Sequence, residues 1–417
     1  MKKKLVSLLL VAAMGVTMLA GCGGNANGNG TQNSQASGPQ AITLKVWCPD
    51  NQKELMDEQQ KAFQEANKDK WTITWETAYV GEGDAKTEIL KDVNAAADVF
   101  FYANDQVSEL VAAGAIAKLA GDTEKMVKES MDEAIVNTVT VDGALYGIPF
   151  THNTFFMYYD KTVISDEEAK SLDTILAKDT GADVLNFILD SAGGWKLGSF
   201  FYGAELSVFG PDGSDFAAGC DWDSATGVGV ATYLIDLLKN PKVKFESDVV
   251  QYAKEHKLGA WFDGAWNYDL YAENVGAENL GIAVLPKYTI NGTEYQLKPF
   301  YGTKAIGVNA KSQNMGAAIA FAKYLGSEEQ QIARFEKSAQ VPTNTVAANT
   351  EAVKADPIAA VILAQFEHSV NQPIASIFGS KYWSNAGAIP GDILNDKCTK
   401  DTVQTYMGEV VMAIEAE

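Results

Sequence analysis

The chain has 417 residues and a formal net charge of −21, with 54 Asp and Glu against 33 Lys and Arg. Arg334 is its only arginine, which argues against the basic face that nucleic acid demands and against the guanidinium clamps an anionic ligand would use. A hydrophobic content of 47% is that of a globular body, and the length suits two domains at about 150 residues each.

The chain opens with an export signal. Lys2, Lys3 and Lys4 precede an apolar run from Leu5 to Leu19 that ends in Leu19-Ala20-Gly21-Cys22. A charged start, an apolar middle and small residues at the cut define a cleavable segment over 1–21. A cysteine at that cut reads as a bacterial lipobox, with Cys22 lipidated. The run falls short of the about 20 apolar residues that a spanning helix needs. Residues 22–40 are largely Gly, Asn, Ser and Gln without hydrophobic periodicity, so they read as a lipid-anchored flexible tether. The expected location is the outer face of the bacterial cytoplasmic membrane, and loss of the three signal lysines takes the charge to −24.

The body begins with Ile42, Leu44 and Val46 alternating against polar neighbours, a strand. A helical stripe follows from Gln52 to Lys68, then a strand at Thr72–Thr77, a helix around Ala85–Ala97 and a short apolar strand at Asp98–Tyr102. This alternation predicts an α/β fold with parallel sheets and crossover helices. Asp105–Ala113 predicts a helix closed by Gly114 as a C′ glycine. Ala144–Pro149 and Thr154–Tyr159 read as extended, and Ser165 to Glu168 as a capping start. Ala225–Lys239 predicts an amphipathic helix, Gly281–Pro286 and Thr303–Val308 predict strands, and Ser312–Leu325 and Glu328–Phe335 predict helices.

Cys48, Cys220 and Cys398 are spaced like no zinc or redox motif, which leaves three isolated thiols or one distant pair. His152, His256 and His368 are far apart in sequence, so no metal site and no cofactor is signalled. The aromatics are more telling: eight Trp, sixteen Tyr and eighteen Phe. Several follow strands or sit in loops among polar residues: Trp47 before Asp50 and Asn51, Tyr102 before Asn104 and Asp105, Phe200 to Tyr202, Trp266 before Asn267, and Tyr382-Trp383. In open α/β sheets ligands bind outside the carboxyl ends of strands. A flat ring with amide and carboxylate neighbours suits the C–H face and hydroxyl rim of a neutral sugar. Trp47 and Phe200 also suit core positions, Asp105 also suits a helix cap, and Trp71, Trp75 and Trp195 read as packing or surface residues.

Five stretches carry a family resemblance: AITLKVWCPDNQKELMDEQQKAFQEANK, DVFFYANDQVSELVAAGAIAKL, GALYGIPFTHNTFFMYYDKTV, GAWFDGAWNYDLY with GIAVLPKY, and KPFYGTKAIGVNAKSQNMGAAIAFAKYL. In order and spacing the chain resembles the extracellular solute-binding proteins of ABC sugar importers, close to the maltose/maltodextrin-binding branch. The resemblance implies a two-lobe, periplasmic-binding-protein-like fold of type II, each lobe a mostly parallel sheet flanked by helices. It places the N-terminal lobe at 41–150 and 301–340, the C-terminal lobe at 151–300 and 341–417, and hinge crossings at Tyr146–Thr154 and Lys298–Gly302. Carried over position by position, the first-lobe stacking ring falls on Tyr102, with Asn104 and Asp105 beside it. The second-lobe turn falls on Trp266 with Asn267, the C-terminal ring on Trp383 with Tyr382, and the mid-chain aromatics near Phe200 and Tyr202. The first ligand loop falls on Asp50 or Asn51, with Trp47 before it. An acidic contact of the family is replaced by Asn153, beside His152, and Tyr301 sits in the return crossing.

The resulting expectation is a monomeric lipoprotein, not an enzyme. It would bind an oligosaccharide, foremost a maltodextrin-type α-glucan, and deliver it to ABC permease subunits. A polyamine or metal ligand, a surface glycosidase and an adhesion or sensory module are the alternatives.

Overall fold

The computed structural model describes residues 38–190 and 192–416; the signal segment, Cys22 and most of the tether lie outside the described residues. In chain order the strands are β1 (Gln40–Cys48), β2 (Trp71–Tyr79), β3 (Val99–Ala103), a hairpin of β4 (Thr140–Val141) and β5 (Ala144–Leu145), β6 (Ile148–Asn153) and β7 (Phe156–Asp160). They continue as β8 (Leu185–Leu189), β9 (Val243–Phe245), β10 (Leu258–Asp263), β11 (Leu280–Ala283), a hairpin of β12 (Lys287–Ile290) and β13 (Thr293–Gln296), β14 (Phe300–Val308) and β15 (Val370–Asn371).

Two mixed sheets result. The first runs β15-β14-β3-β1-β2, with β6 also paired to β14; the second runs β11-β7-β10-β8-β9. Each keeps a parallel trio, β3-β1-β2 and β10-β8-β9, and each adds an antiparallel strand that arrives from the other half of the molecule. Strand β7 follows β6 after only Thr154 and Phe155, and β14 returns from the β12–β13 hairpin. These passages lie side by side, since Thr154 Oγ1 donates to the Phe300 carbonyl at 2.9 Å. A third segment joins them where Thr151 Oγ1 donates to the Val341 carbonyl at 2.9 Å. Strand β15 then pairs with the start of β14 before the chain re-enters the second half as a long helix, Ser376–Leu394.

Burial explains the strand readings. Ile42, Leu44, Val46 and Cys48 of β1 point inward while alternate residues are less covered, the half-buried pattern visible in sequence. Strands β3 and β10 are buried along almost their whole length, because helices cover both faces, so alternation vanishes there. One core lies against the first sheet, with Leu44, Phe100, Ile306 and Phe321. The second sheet has a core on each face, one with Phe187, Trp222 and Leu234, the other with Tyr158, Trp261 and Ile358.

Local differences from the sequence reading have local causes. The helix expected over Ala85–Ala97 stops at Lys91, because the Asp92 carboxylate accepts the backbone N–H groups of Asn94 and Ala95 and turns the chain. Ser165 and Glu168 do form reciprocal capping bonds, but the helix they open is a single 3-10 turn, Glu168–Lys170, and the next helix starts at Leu172 under Ser171. Gly114 takes φ +61° just past the helix Val107–Ala112, as a C′ glycine should. The segments Phe200–Tyr202 and Tyr382-Trp383 are helical, within Gly198–Gly203 and Ser376–Leu394, not loops. Cys48, Cys220 and Cys398 are free and buried. Burial pushes the first two thiols up to about 12 and the third to about 11, so none is poised as a thiolate.

Candidate ligand cleft

The loops after β2, β3, β8 and β10 converge on a cavity of about 410 Å³ between the two sheets. On the first-sheet side, β3 ends at Ala103 and a 3-10 turn, Asn104–Gln106, leads into a helix. Gln106 Nε2 donates to the carbonyls of Glu82 and Gly83, and its Oε1 accepts the Lys86 N–H, so this side chain pins the loop after β2 beside the turn. Gly83, Ala103, Asp105 and Gln106 form this wall. Burial raises the Asp105 carboxyl to about 6, against the pull of Lys86.

The opposite wall carries three tryptophans. After β8, Ala192, Gly193 and Gly194 all have positive φ, from 44° to 96°. A Cβ on Gly194 would come within 2.9 Å of the Ala386 methyl, so only glycine lets this loop lie on the helix Ser376–Leu394. Tyr382 Oη donates to the Gly194 carbonyl at 3.1 Å and seals that contact. The result places Trp195 from the loop near Trp383 from the helix, both lining the cavity. Trp266 comes from the turn after β10 and packs 6.1 Å from Trp195, centroid to centroid. Its ring lies over Gly264, where a Cβ would meet it at 2.0 Å.

A buried ion network anchors both tryptophan segments. Lys196, 5% exposed, donates to Asp190 Oδ2 and to the Phe262 carbonyl, each at 2.8 Å, and lies 3.7 Å from Asp263 Oδ1. Asp263 in turn accepts the Gly264 N–H, Asn267 Nδ2 at 2.9 Å and Tyr271 Oη at 2.5 Å. Lys196 directly follows Trp195, and Asp263 sits three residues before Trp266, so one ammonium ties the two rings' loops together.

Beyond Trp266 lies a second, smaller compartment of about 180 Å³, lined by Asn51, His152, Trp266, Asp269, Lys304, Lys337 and Gln340 among others. Trp266, 45% exposed, lines both spaces. Asn153 at the end of β6 and Gln372 after β15 close the larger one from the hinge side, where Gln372 Oε1 accepts the Trp195 indole N–H at 3.0 Å.

Of the residues read from sequence, Asp105, Asn153, Trp266 and Trp383 line the larger compartment, and Asn51 and His152 the smaller. Asp50 is exposed and lines neither space. Several others require correction. Tyr102 is fully buried against Phe100, its hydroxyl directed at the Tyr146 carbonyl, so it is a core ring and not a stacking platform. Asn104 is buried and accepts the Thr303 N–H at 3.0 Å, fastening β14 to the turn. Trp47 packs against the first core, and Phe200 and Tyr202 belong to the second. Tyr382 supports the 192–194 loop, Asn267 serves Asp263, and Tyr301 is buried with its hydroxyl bonded to His152. Burial lowers His152 to about 4, which leaves it neutral at pH 7. Trp195, which reads from sequence as a packing or surface residue, lines the larger compartment instead, as do Gln106 and Gln372, which carry no site signal in the sequence. Only the glycines before Trp195 hinted that its loop meets another backbone closely.

Among the described residues no group of three or more His, Cys, Asp or Glu side chains is placed to hold a metal ion, and no helix is long and apolar enough to cross a membrane.

Residues 58–361 match the family model for bacterial extracellular solute-binding proteins. The maltooligosaccharide ABC transporter solute-binding lipoprotein of Streptococcus pneumoniae serotype 4 is 25% identical over 436 aligned positions, covering 97% of this chain and 99% of that protein. The galactooligosaccharide-binding protein of Bacillus subtilis is 25% identical, covering 89% and 88%. A solved structure with acarbose superposes with a TM-score of 0.84 at 38% identity, covering 90% of this chain and 99% of that one.

Proposed function

The chain belongs to the bacterial extracellular solute-binding proteins, in the two-lobe type II fold, and from that premise we propose that it captures a neutral α-glucan of the maltodextrin type. The observation that carries this reading is the meeting of Trp195, Trp266 and Trp383 with Asp105, Gln106, Asn153 and Gln372 around one cavity. A pyranose lays its C–H face on an indole, and the amides and carboxylate take its hydroxyls. The two walls belong to different sheets joined by adjacent chain passages, so a ligand touching both favours the closed arrangement by its differential affinity. An ABC permease then receives the glycan from the closed, monomeric, lipid-anchored protein; the names and acarbose complex of its relatives support this role.

No chemistry on the sugar is required. Among the described residues Asp105 is the one carboxylate lining the larger compartment, whereas glycoside hydrolysis uses two, about 5–10 Å apart. A polyamine, too, would call for several acids there.

The test is calorimetric titration of the purified protein with maltose through maltoheptaose, then galacto-, xylo- and fructo-oligosaccharides and spermidine. Micromolar binding to α-glucans is expected. Binding to another series alone moves the substrate, and silence across all sugars overturns the reading.

Asp105 adds a pH signature. Its folded value lies above the ordinary 3.8, so the stability it contributes is complete below about pH 4 and is lost as pH rises through about 6. Asp105→Asn should therefore raise the melting temperature at pH 7.5 and leave it unchanged at pH 4. In the wild type, glycan affinity should fall as pH drops through about 6, where the carboxylate acceptor takes up a proton, and Asp105→Asn should flatten that dependence. Melting curves and titrations at the two pH values check both.

Cys22 carries the anchoring proposal. Cys22→Ser should move the protein from the membrane fraction to the medium and abolish incorporation of labelled palmitate. Retention in the membrane would count against the lipobox.

A further inference from the structure

Trp266 is a shared wall: it borders the larger compartment together with Trp195 and Trp383, and the smaller one together with Lys304. Lys304 projects from β14 of the first sheet, and its Nζ lies over the Trp266 ring, 5.5 Å from the centroid. The same ammonium is 3.4 Å from Glu82 Oε1, in a pair whose side chains are only 17% and 9% exposed. An ammonium thus bridges the two halves of the molecule at the boundary between the two spaces. The smaller space is otherwise rich in hydroxyl partners, including Asn51, Ser338 and Gln340. A sugar ring would fit its chemistry, but the face of Trp266 is already taken. A cation and a pyranose C–H face seek the same electron-rich surface.

We infer that Lys304 is a specificity-determining residue that sets glycan length by occupying the Trp266 ring from the smaller compartment. A short glycan fills the larger compartment and leaves the ammonium in place. A chain that continues past Trp266 must lift Lys304 off the ring and away from Glu82, which costs it affinity that a short chain keeps. This inference rests on the glycan reading above.

Calorimetry of wild type, Lys304→Met, Lys304→Arg and Glu82→Gln across maltose to maltoheptaose tests it. For the shortest chain that binds, wild type and Lys304→Met should agree. For the longest, Lys304→Met should bind about fivefold more tightly, the factor corresponding to a cation–π contact of about 1 kcal/mol. Lys304→Arg should keep the preference for short chains, because a guanidinium also covers an indole face, though its planar fork need not reproduce the wild-type affinities. Glu82→Gln, which leaves the lysine but loosens its hold, should shift in the direction of Lys304→Met. Indole emission without ligand should change more in Lys304→Met than in Lys304→Arg, which reports the ring contact independently of ligand. An equal change at every length, or weaker binding of long chains by Lys304→Met, overturns the inference while leaving the glycan reading intact. No binding of any glycan by any of the four proteins overturns the reading on which it rests.

Discussion

Replacing Trp266 with alanine should weaken oligosaccharide binding by about 2 kcal/mol, roughly thirtyfold, since a stacked indole contributes both buried area and ring-specific attraction. The ring is 45% exposed, so little folding energy is stored in it and the melting temperature should hardly move. That separation of binding from stability is what distinguishes a platform from a core ring. Tyr102→Ala, by contrast, empties a fully buried position and should destabilise the first half by about 3–5 kcal/mol, as large-to-small aromatic substitutions in cores do. Because Trp266 borders both compartments, its removal should be felt at every chain length. Titration calorimetry alongside a melting curve is the check. A loss below about threefold, or ~0.7 kcal/mol, would show that the ligand does not use this ring.

The second large effect is expected at Lys196. Lys196→Met keeps most of the stem volume but removes the ammonium that serves Asp190, Asp263 and the Phe262 carbonyl. Breaking one side of a buried pair typically costs about 3–5 kcal/mol, because the remaining charge stays buried without its partner. The Asp190 side chain is 45% exposed and can rehydrate, while that of Asp263 is 11% exposed and cannot. The lower end, about 3 kcal/mol, is therefore the expectation. The same change to an outer pair such as Lys68 with Glu65, 61% and 73% exposed, should cost about 0–1 kcal/mol. Binding should weaken too, since the loop of Trp195 and the turn of Trp266 lose their common tie. Urea unfolding and titration of Lys196→Met and of the double variant with Asp263→Asn settle the cause. Partial recovery in the double variant marks charge as the origin, whereas an additive further loss would mark packing.

The strand ends that build the cleft were legible in sequence, but the direction of individual side chains was not. The apolar run ending at Tyr102 and the polar residues after it lie along the first wall of the candidate cleft. Within that run every residue from Val99 to Tyr102 is buried, so no alternation told which ring faces out, and the cavity-lining group is Asp105, three residues later. Trp195 shows the converse. Its neighbours carry no periodic signal, and its position depends on a glycine loop lying on a helix nearly 190 residues further on. Tyr382 and Trp383 are adjacent, yet one is buried beneath that loop and the other lines the cavity, because consecutive helical side chains point in different directions.

By itself the sequence carried the α/β alternation and the aromatic-plus-amide composition suited to a sugar, while the export signal and most of the tether it reads at the N-terminus lie outside the described residues. These depend on composition, short-range periodicity and local turn chemistry, which neighbouring residues settle among themselves. Only the tertiary structure decided which aromatics face the cleft, that Lys196 links two of their loops, and that Lys304 covers Trp266. Those features arise where segments more than thirty residues apart meet, and burial there follows from which faces the other elements leave uncovered.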